Sequence, residues 1–431
     1  MLARALARRL DGAGLHYGWV IIATIFLSTL VMSGAVGLPG AFIVPLSKHF
    51  GWDAAQISSA LAIRFILYGL MAPFSAALIE RYGVRAVVAG AQVLVVVGLL
   101  SVLFVDSVWQ LAIGWGLLIG VGTGMTALVL GALLTTRWFV ERRGLAMGVL
   151  SAAMATGQLV FLPLVAWLID HVGWKLALVP SALAIVVAGI AAVLLLAERP
   201  SDVGLKPYGA TGNEPAPAPV ETGAAISRAF KGLAEASRVP AFWLLAASFF
   251  VCGLSTNGLI QTHFIAFCVD NGMIALAAAS TLAMMGLFDI VGTIGSGYLS
   301  DRYDSRKLLF WYYGLRGLSL LWLPSSTFTI YGLSVFAVFY GLDWIATVPP
   351  TVKLTARVFG PEKAGLAFGW IFASHQVGAA VAAYGGGLSR SWLLTYAPSF
   401  YVAGFACFLA AIMSLMVMRG KRDPQPVAAS A

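Results

Sequence analysis

Along the whole chain, apolar runs of about twenty residues or more alternate with short polar, basic turns, and each run is long enough to cross a bilayer as a helix. Twelve such runs are predicted, at 18–46, 56–79, 85–105, 109–136, 144–169, 174–197, 241–268, 274–300, 307–326, 328–356, 364–388 and 393–418. The turns between them repeat. Glu80-Arg81-Tyr82 with Arg85 recurs as Asp301-Arg302-Tyr303 with Arg306, offset by 221 residues. Arg137 and Arg357, after Thr135 and Thr355, are offset by 220, and Gly144 and Gly365, each opening a Gly-Leu-Ala stretch, by 221. A duplication on this scale predicts an all-α membrane protein of two parallel six-helix repeats. The expected organisation is a first bundle over 1–197, a linker over 198–240, and a second bundle with a tail over 241–431.

Composition agrees: 60% of residues are hydrophobic, 10% are charged, and the mean hydropathy is +0.89. An ordinary soluble domain carries roughly 25% charged residues. The net charge of +9 does not imply nucleic acid, because 22 of the 27 Lys and Arg fall in the termini and turns on one side of the predicted membrane. That bias places both termini in the cytoplasm. The basic start, Arg4 to Arg9, precedes an apolar run too long for a signal peptide, so it reads as a retained cytoplasmic end.

Pro200 to Gly223 has almost no large apolar residue and reads as a flexible linker. After it, Ile226, Phe230 and Leu233 recur at helical spacing beside Arg228, Lys231 and Arg238, as in a short amphipathic helix on the cytoplasmic leaflet. Cys252, Cys268 and Cys407 lie inside apolar runs without paired spacing, so neither a disulfide nor a metal site is expected.

Four charged side chains fall well inside predicted helices: Arg64, Asp289, Arg316 and Asp343. A charge at bilayer depth is costly unless paired or hydrated, so each is a candidate functional residue. Along a helix, Asp289 lies about 18 Å from Asp301 and Arg316 about 15 Å from Arg306, which puts both near mid-membrane. Asp289 is the leading candidate for carrying a proton, with Asp343 second. The alternative for Asp289 is a permanent pair with Arg316, for which Asp343 competes. Arg64 has no acid on its own helix, and its forked guanidinium suits a carboxylate; the alternatives are snorkelling or a bond to a carbonyl. Arg316 is the second candidate anion anchor. Asn257 and Gln261 share one face of helix 7, His375 and Gln376 sit near the centre of helix 11, and these four are candidate substrate contacts. Gln158 and His263 are weaker candidates. Glu80, Arg81, Arg85, Asp301, Arg302 and Arg306 form a candidate latch between the halves, the acids holding the Arg residues of their own turns. No phosphate-binding loop, metal-ligand spacing or catalytic triad is present, so no cofactor is expected and an enzyme is disfavoured.

The paired acid-Arg turns resemble the signature loops of the major facilitator superfamily. His16-Tyr17-Gly18-Trp19-Val20 and Trp138-Phe139-Val140-Glu141-Arg142-Arg143-Gly144-Leu145-Ala146-Met147-Gly148 are similar to two motifs of the monocarboxylate transporter family, within the bacterial monocarboxylate transporter and oxalate–formate antiporter branch. The resemblance implies a secondary transporter of the bacterial inner membrane, working as a monomer by alternating access on a small organic anion, with protons as partner. It also implies an Asp on helix 8 followed four residues later by a substrate-binding Arg. Asp289 matches the Asp, but Thr293 stands at the Arg position, and the family's helix 1 Lys is missing near Gly37 to Gly40. Arg64 or Arg316 is then expected to replace them. Anion exchange or proton-coupled efflux of another small molecule is the alternative.

Overall fold

The computed structural model describes residues 2–126, 128–210 and 222–417. In chain order its helices are α1 (Leu2–Asp11), α2 (Gly18–Gly37), α3 (Pro39–Phe50), α4 (Ala54–Tyr82), α5 (Val84–Ser101), α6 (Val108–Leu111), α7 (Gly120–Met125), α8 (Leu128–Trp138), α9 (Arg143–Val172), α10 (Trp174–Ala177) and α11 (Val179–Leu195). Then follow α12 (Thr222–Ala236), α13 (Pro240–Gly253), α14 (Gln261–Asp270), α15 (Ala275–Arg302), α16 (Ser305–Trp322), α17 (Ile330–Asp343), α18 (Val348–Phe359), α19 (Pro361–Leu393) and α20 (Ala397–Met416). Wider π-helical turns join α6 to α7 and α13 to α14.

These helices make twelve crossings. Eleven described helical segments are long and apolar enough to span a membrane. The remaining crossing, the ninth, is α16, whose apolar character is diluted by Arg306, Lys307 and Arg316. The outer surface is apolar, as lipid requires. On α20, Val402, Phe405, Leu409 and Ile412 form one exposed stripe, while Ala403, Cys407, Ala410 and Ala411 are buried behind it.

The repeat seen in the sequence reappears in the backbone. Crossing 4 is broken at Thr126 and crossing 10 at Trp344–Thr347, so Thr126 and Thr347 share the 221-residue offset. Arg85 donates to the Leu196 carbonyl, where crossing 6 ends. Its counterpart Arg306 donates to the Val417 carbonyl, where crossing 12 ends, at 3.5 Å. Both acceptors lie just past the last helical residue, Leu195 and Met416, where a helix leaves carbonyls to be satisfied, and the offset between them is again 221.

Crossings 2 and 11 (α4 and α19) run along each other, as do crossings 5 and 8 (α9 and α15). At the end opposite the basic turns, α3 packs on α14, Gly40 lies against the Gln261 carbonyl, and the Ala55 amide donates to Ser391 Oγ at 3.1 Å. At the basic end, α8 and α18 pack mainly inside their own halves. The opposite end is therefore the more tightly closed one. Small residues set the closest helix contacts: Gly253 lies under the His375 carbonyl and Gly378 under the Phe250 carbonyl, so α13 and α19 nearly touch. A Cβ on Gly253 would overlap that oxygen. Gly253→Ala should therefore lower stability by about 1–3 kcal/mol or more, read as a drop in melting temperature in detergent.

The stretch after crossing 6, expected to be flexible, is folded as far as residue 210. Pro200–Val203 forms a turn, the Tyr208 amide donates to the Trp138 carbonyl at 2.8 Å, and the Val140 amide returns a bond to the Tyr208 carbonyl at 2.9 Å. Val203, Leu205 and Tyr208 supply the reason: they cover the buried cluster of Tyr17, Trp138 and Phe139. Residues 211–221 lie outside those described. The amphipathic segment is helical as α12. It rests on protein, Phe230 meeting both Phe74 of α4 and Trp370 of α19 and Ala229 accepting from Trp370 Nε1 at 2.9 Å.

Candidate functional site

The sequence places two acids and an Arg in the second half, and folding brings them to the break in crossing 10. Arg316 is 1% exposed and donates from Nε to Asp343 Oδ2 at 2.6 Å. Its Nη2 reaches the carbonyls of Asp343 and Trp344 at 2.5 and 3.0 Å, and its Nη1 lies 3.1 Å from Cys252 Sγ. Tyr340 closes the same network by donating to the Ser255 carbonyl at 2.7 Å. The guanidinium is thus occupied by Asp343, not Asp289. Asp289, 5% exposed, accepts from the Ile345 amide at 2.8 Å and from Thr293 Oγ1 at 3.0 Å. The Thr at the expected Arg position therefore orients the acid, and no described ion pair includes Asp289.

In the first half Arg64 is 2% exposed. Its Nη1 donates to the Val36 carbonyl at 2.7 Å, and the guanidinium carbon lies 4.4 Å from the centre of the Phe65 ring. Val36 is available because crossing 1 breaks at Leu38 and leaves terminal carbonyls without helical donors. Arg64 points into the protein, and no acid pairs with it among the described residues. Next to Val36, Gly37 is flanked by the side chains of Gln158 and Gln261. These three polar groups therefore converge on the break in crossing 1 from crossings 2, 5 and 7.

Gln376 packs against Gly69 of α4 and is buried with Oε1 unpartnered. His375 lies parallel to Phe372 at 5.8 Å, with Nδ1 unpartnered, and Phe372 in turn meets Tyr68 edge-on at 5.7 Å. Asn257 is half-buried, and its backbone carbonyl accepts from Thr262 Oγ1. His263 is held by the Ala383 carbonyl at 2.7 Å.

The turn residues divide differently from the expected pattern. Arg306 is held by Asp304 at 2.7 Å, and its guanidinium keeps that carboxyl below the usual carboxylate range. Asp301 is largely exposed and lies 3.6 Å from Lys353 of its own half. Arg81 and Arg302 lie over the rings of Tyr82 and Tyr298. The side chain of Glu80 is outside the described residues. In the first half the acid facing the turn is Glu198, which accepts from the amides of Val84 and Arg85 and lies 3.8 Å from Arg137. Gly83, at φ 83°, brings the backbone close enough for that capping. Asp304 and Glu198 were not singled out in the sequence. Glu198 stands over a hundred positions from the turn it caps, and only the shared 221-residue offset of Leu196 and Val417 hints at the arrangement.

Against known proteins, the sequence profile of the Major Facilitator Superfamily matches residues 25–383 and 272–431. The chain belongs to that superfamily. Its members are transporters, and this one is a multi-pass membrane transporter, not an enzyme. It is similar to monocarboxylate transporter 13 of Bos taurus, 27% identical over 392 residues that cover 90% of this chain and 86% of the relative. It is also similar to the MFS-type transporter YcxA of Bacillus subtilis, 26% identical over 420 residues, 94% of this chain and 97% of the relative. In structure it resembles a D-xylose–proton symporter with a TM-score of 0.71 over 92% of this chain and 97% of that one; the identity is 13%, so the likeness concerns the fold. The superfamily fold accounts for the two parallel halves and the paired basic turns.

Proposed function

We propose that this superfamily member carries a small organic anion with a single carboxylate, together with protons, across a bacterial inner membrane by alternating access. The observation that carries the reading is Arg64, a buried intramembrane guanidinium bonded to the Val36 carbonyl and with no acid partner among the described residues. A carboxylate would complete it through two parallel bonds, with Gln158 and Gln261 beside it and Asn257, His375 and Gln376 on the facing half as neutral contacts. Arg316, neutralised by Asp343, is the weaker anchor. The similarity to monocarboxylate transporter 13 supports the substrate class. Asp289, bonded to neutral donors, is the proton carrier, with Asp343 as its charged neighbour. The bias of Lys and Arg toward one face makes that face and both termini cytoplasmic. With the opposite end the tighter one, the described state opens toward the cytoplasm, and the functional unit is the monomer. The basic turns latch the opposite state, Arg81, Arg85, Arg302 and Arg306 with Glu80 and Asp301 reaching across when the cytoplasmic ends close.

Uptake of labelled monocarboxylates into proteoliposomes, with and without a pH gradient, tests the reading. Accumulation should follow the gradient. Asp289→Asn should abolish gradient-driven accumulation while keeping exchange of substrate for substrate. Exchange in the wild type without any response to pH would reassign the protein to anion exchange. Full pH-driven accumulation in Asp289→Asn would remove Asp289 and bring His375 forward.

A further inference from the structure

The break in crossing 10 is fastened residue by residue. Pro349 and Pro350 lack the amides that would close the helix onto Ile345 and Ala346, so the backbone opens there. Side chains from three neighbouring crossings fill the gaps. Arg316 holds the carbonyls of Asp343 and Trp344, Asp289 holds the Ile345 amide, Ser296 Oγ donates to the Ala346 carbonyl at 2.5 Å, and Thr347 Oγ1 lies 3.2 Å from Cys252 Sγ. On one side of the break, α17 is pressed onto α15: Gly292 lies under the Leu342 carbonyl and Gly341 under that of Met285. On the other side, α18 continues to the basic end, where it packs mainly within its own half. At the matching break in crossing 4, Thr126 Oγ1 donates to the Thr123 carbonyl, and among the described residues no charged side chain bonds to Thr126.

We propose that residues 343–347 are a hinge and that Asp289 is its proton-operated catch, so that protonating this carboxylate releases the Ile345 amide and frees α18 to move while α17 stays fixed on α15. Arg316 and Ser296 act as positioning residues that hold the remaining backbone groups of the hinge. The proposal rests on the proton-coupled reading above. The chemistry is one proton added to the carboxylate, which cancels its charge. A hydrogen bond to an ionised acceptor is roughly twice as strong as one to a neutral acceptor, so the bond from Ile345 weakens at that moment. The charged groups acting on Asp289 from the helices around it are Arg316 of α16 and Asp343 of α17. Lys353 of α18 is engaged at the far end of α15 with Asp301 and the Ser300 carbonyl. Asp270 of α14 pairs with Arg390, and α9 carries Asp170 and His171 only near its far end among its described side chains. Asp343 is paired with Arg316, whereas no described ion pair includes Asp289, and the proposal therefore takes Asp289 as the variable charge at the hinge.

The test places spin labels on Thr136→Cys in α8 and Ala356→Cys in α18, positions related by the repeat, leaving the three buried native cysteines in place. The distance between them is measured by electron–electron resonance from acidic to alkaline buffer, beside uptake by the same protein in liposomes. The wild-type distance should shift with pH. Asp289→Asn, a neutral stand-in for the protonated acid, should hold the acid-side distance at every pH. Ser296→Ala should broaden the distribution while keeping its pH response. A distance that ignores pH in the wild type, or that still shifts in Asp289→Asn, overturns the hinge. In either case, continued pH-driven uptake would leave proton coupling standing without it, whereas a pH-responsive distance with no pH-driven uptake would remove the coupling and keep the hinge.

Discussion

Arg316→Met, with Asp343 left in place, should destabilise the protein by about 3–5 kcal/mol, the cost of leaving one member of a buried ion pair uncompensated. The side chain of Arg316 is fully buried, and it donates to a carboxylate and to two backbone carbonyls that the helix break has left without partners. Removing it exposes all three losses at once. The expected signature is a large fall in melting temperature in detergent and poor recovery from the membrane. Asp343→Asn in the same background should restore part of the loss, because it removes the lone charge, though the two carbonyls stay unpaired. The coupling between the two substitutions should be about 1–3 kcal/mol. Were Arg316→Met as stable as the wild type, the pair would not be holding the fold, and Arg316 would become the better anchor for an anionic substrate.

That network shows where reading the chain stops. The sequence exposes Arg316, Asp289 and Asp343 as charges at membrane depth, because apolar surroundings make any charge conspicuous. It does not decide which acid takes the Arg. That depends on the helix break before Pro349-Pro350, which turns the carbonyls of Asp343 and Trp344 toward α16 and presents the Ile345 amide to Asp289. The crossings and the two-fold repeat were legible because lipid imposes length and apolarity on each segment, and because the turns keep the offset of 221. The ordered stretch to residue 210 was not legible. Its apolar residues, Val203, Leu205 and Tyr208, have no regular period and matter only because Trp138 and Phe139 lie beneath them. The role of Glu198 is not legible for a related reason: a carboxylate at a helix end resembles any interfacial charge until the helix it caps lies beside it.

Arg64→Lys should weaken substrate binding by about 1.5–3 kcal/mol, the worth of one hydrogen bond between charged groups, with a smaller effect on stability. Lys keeps the positive charge and can still donate to the Val36 carbonyl, but it cannot present two parallel N–H groups to a carboxylate while making that bond. The expected result is a raised KM for uptake and a matching loss of affinity by calorimetry on purified protein. Arg64→Gln removes the charge as well and should abolish measurable binding. The comparison separates anchoring from packing: a guanidinium that only tied crossing 2 to the break in crossing 1 would lose stability on replacement by Gln and leave the affinity of the surviving protein unchanged. The burial of Arg64 sharpens the distinction. With no acid beside it among the described residues, Arg64 would receive from a bound carboxylate the countercharge that Asp343 supplies to Arg316 in the other half. A substrate series should therefore show affinity falling when the carboxylate is amidated, and falling again when a second carboxylate is added, since the proposed anchor is the single guanidinium of Arg64.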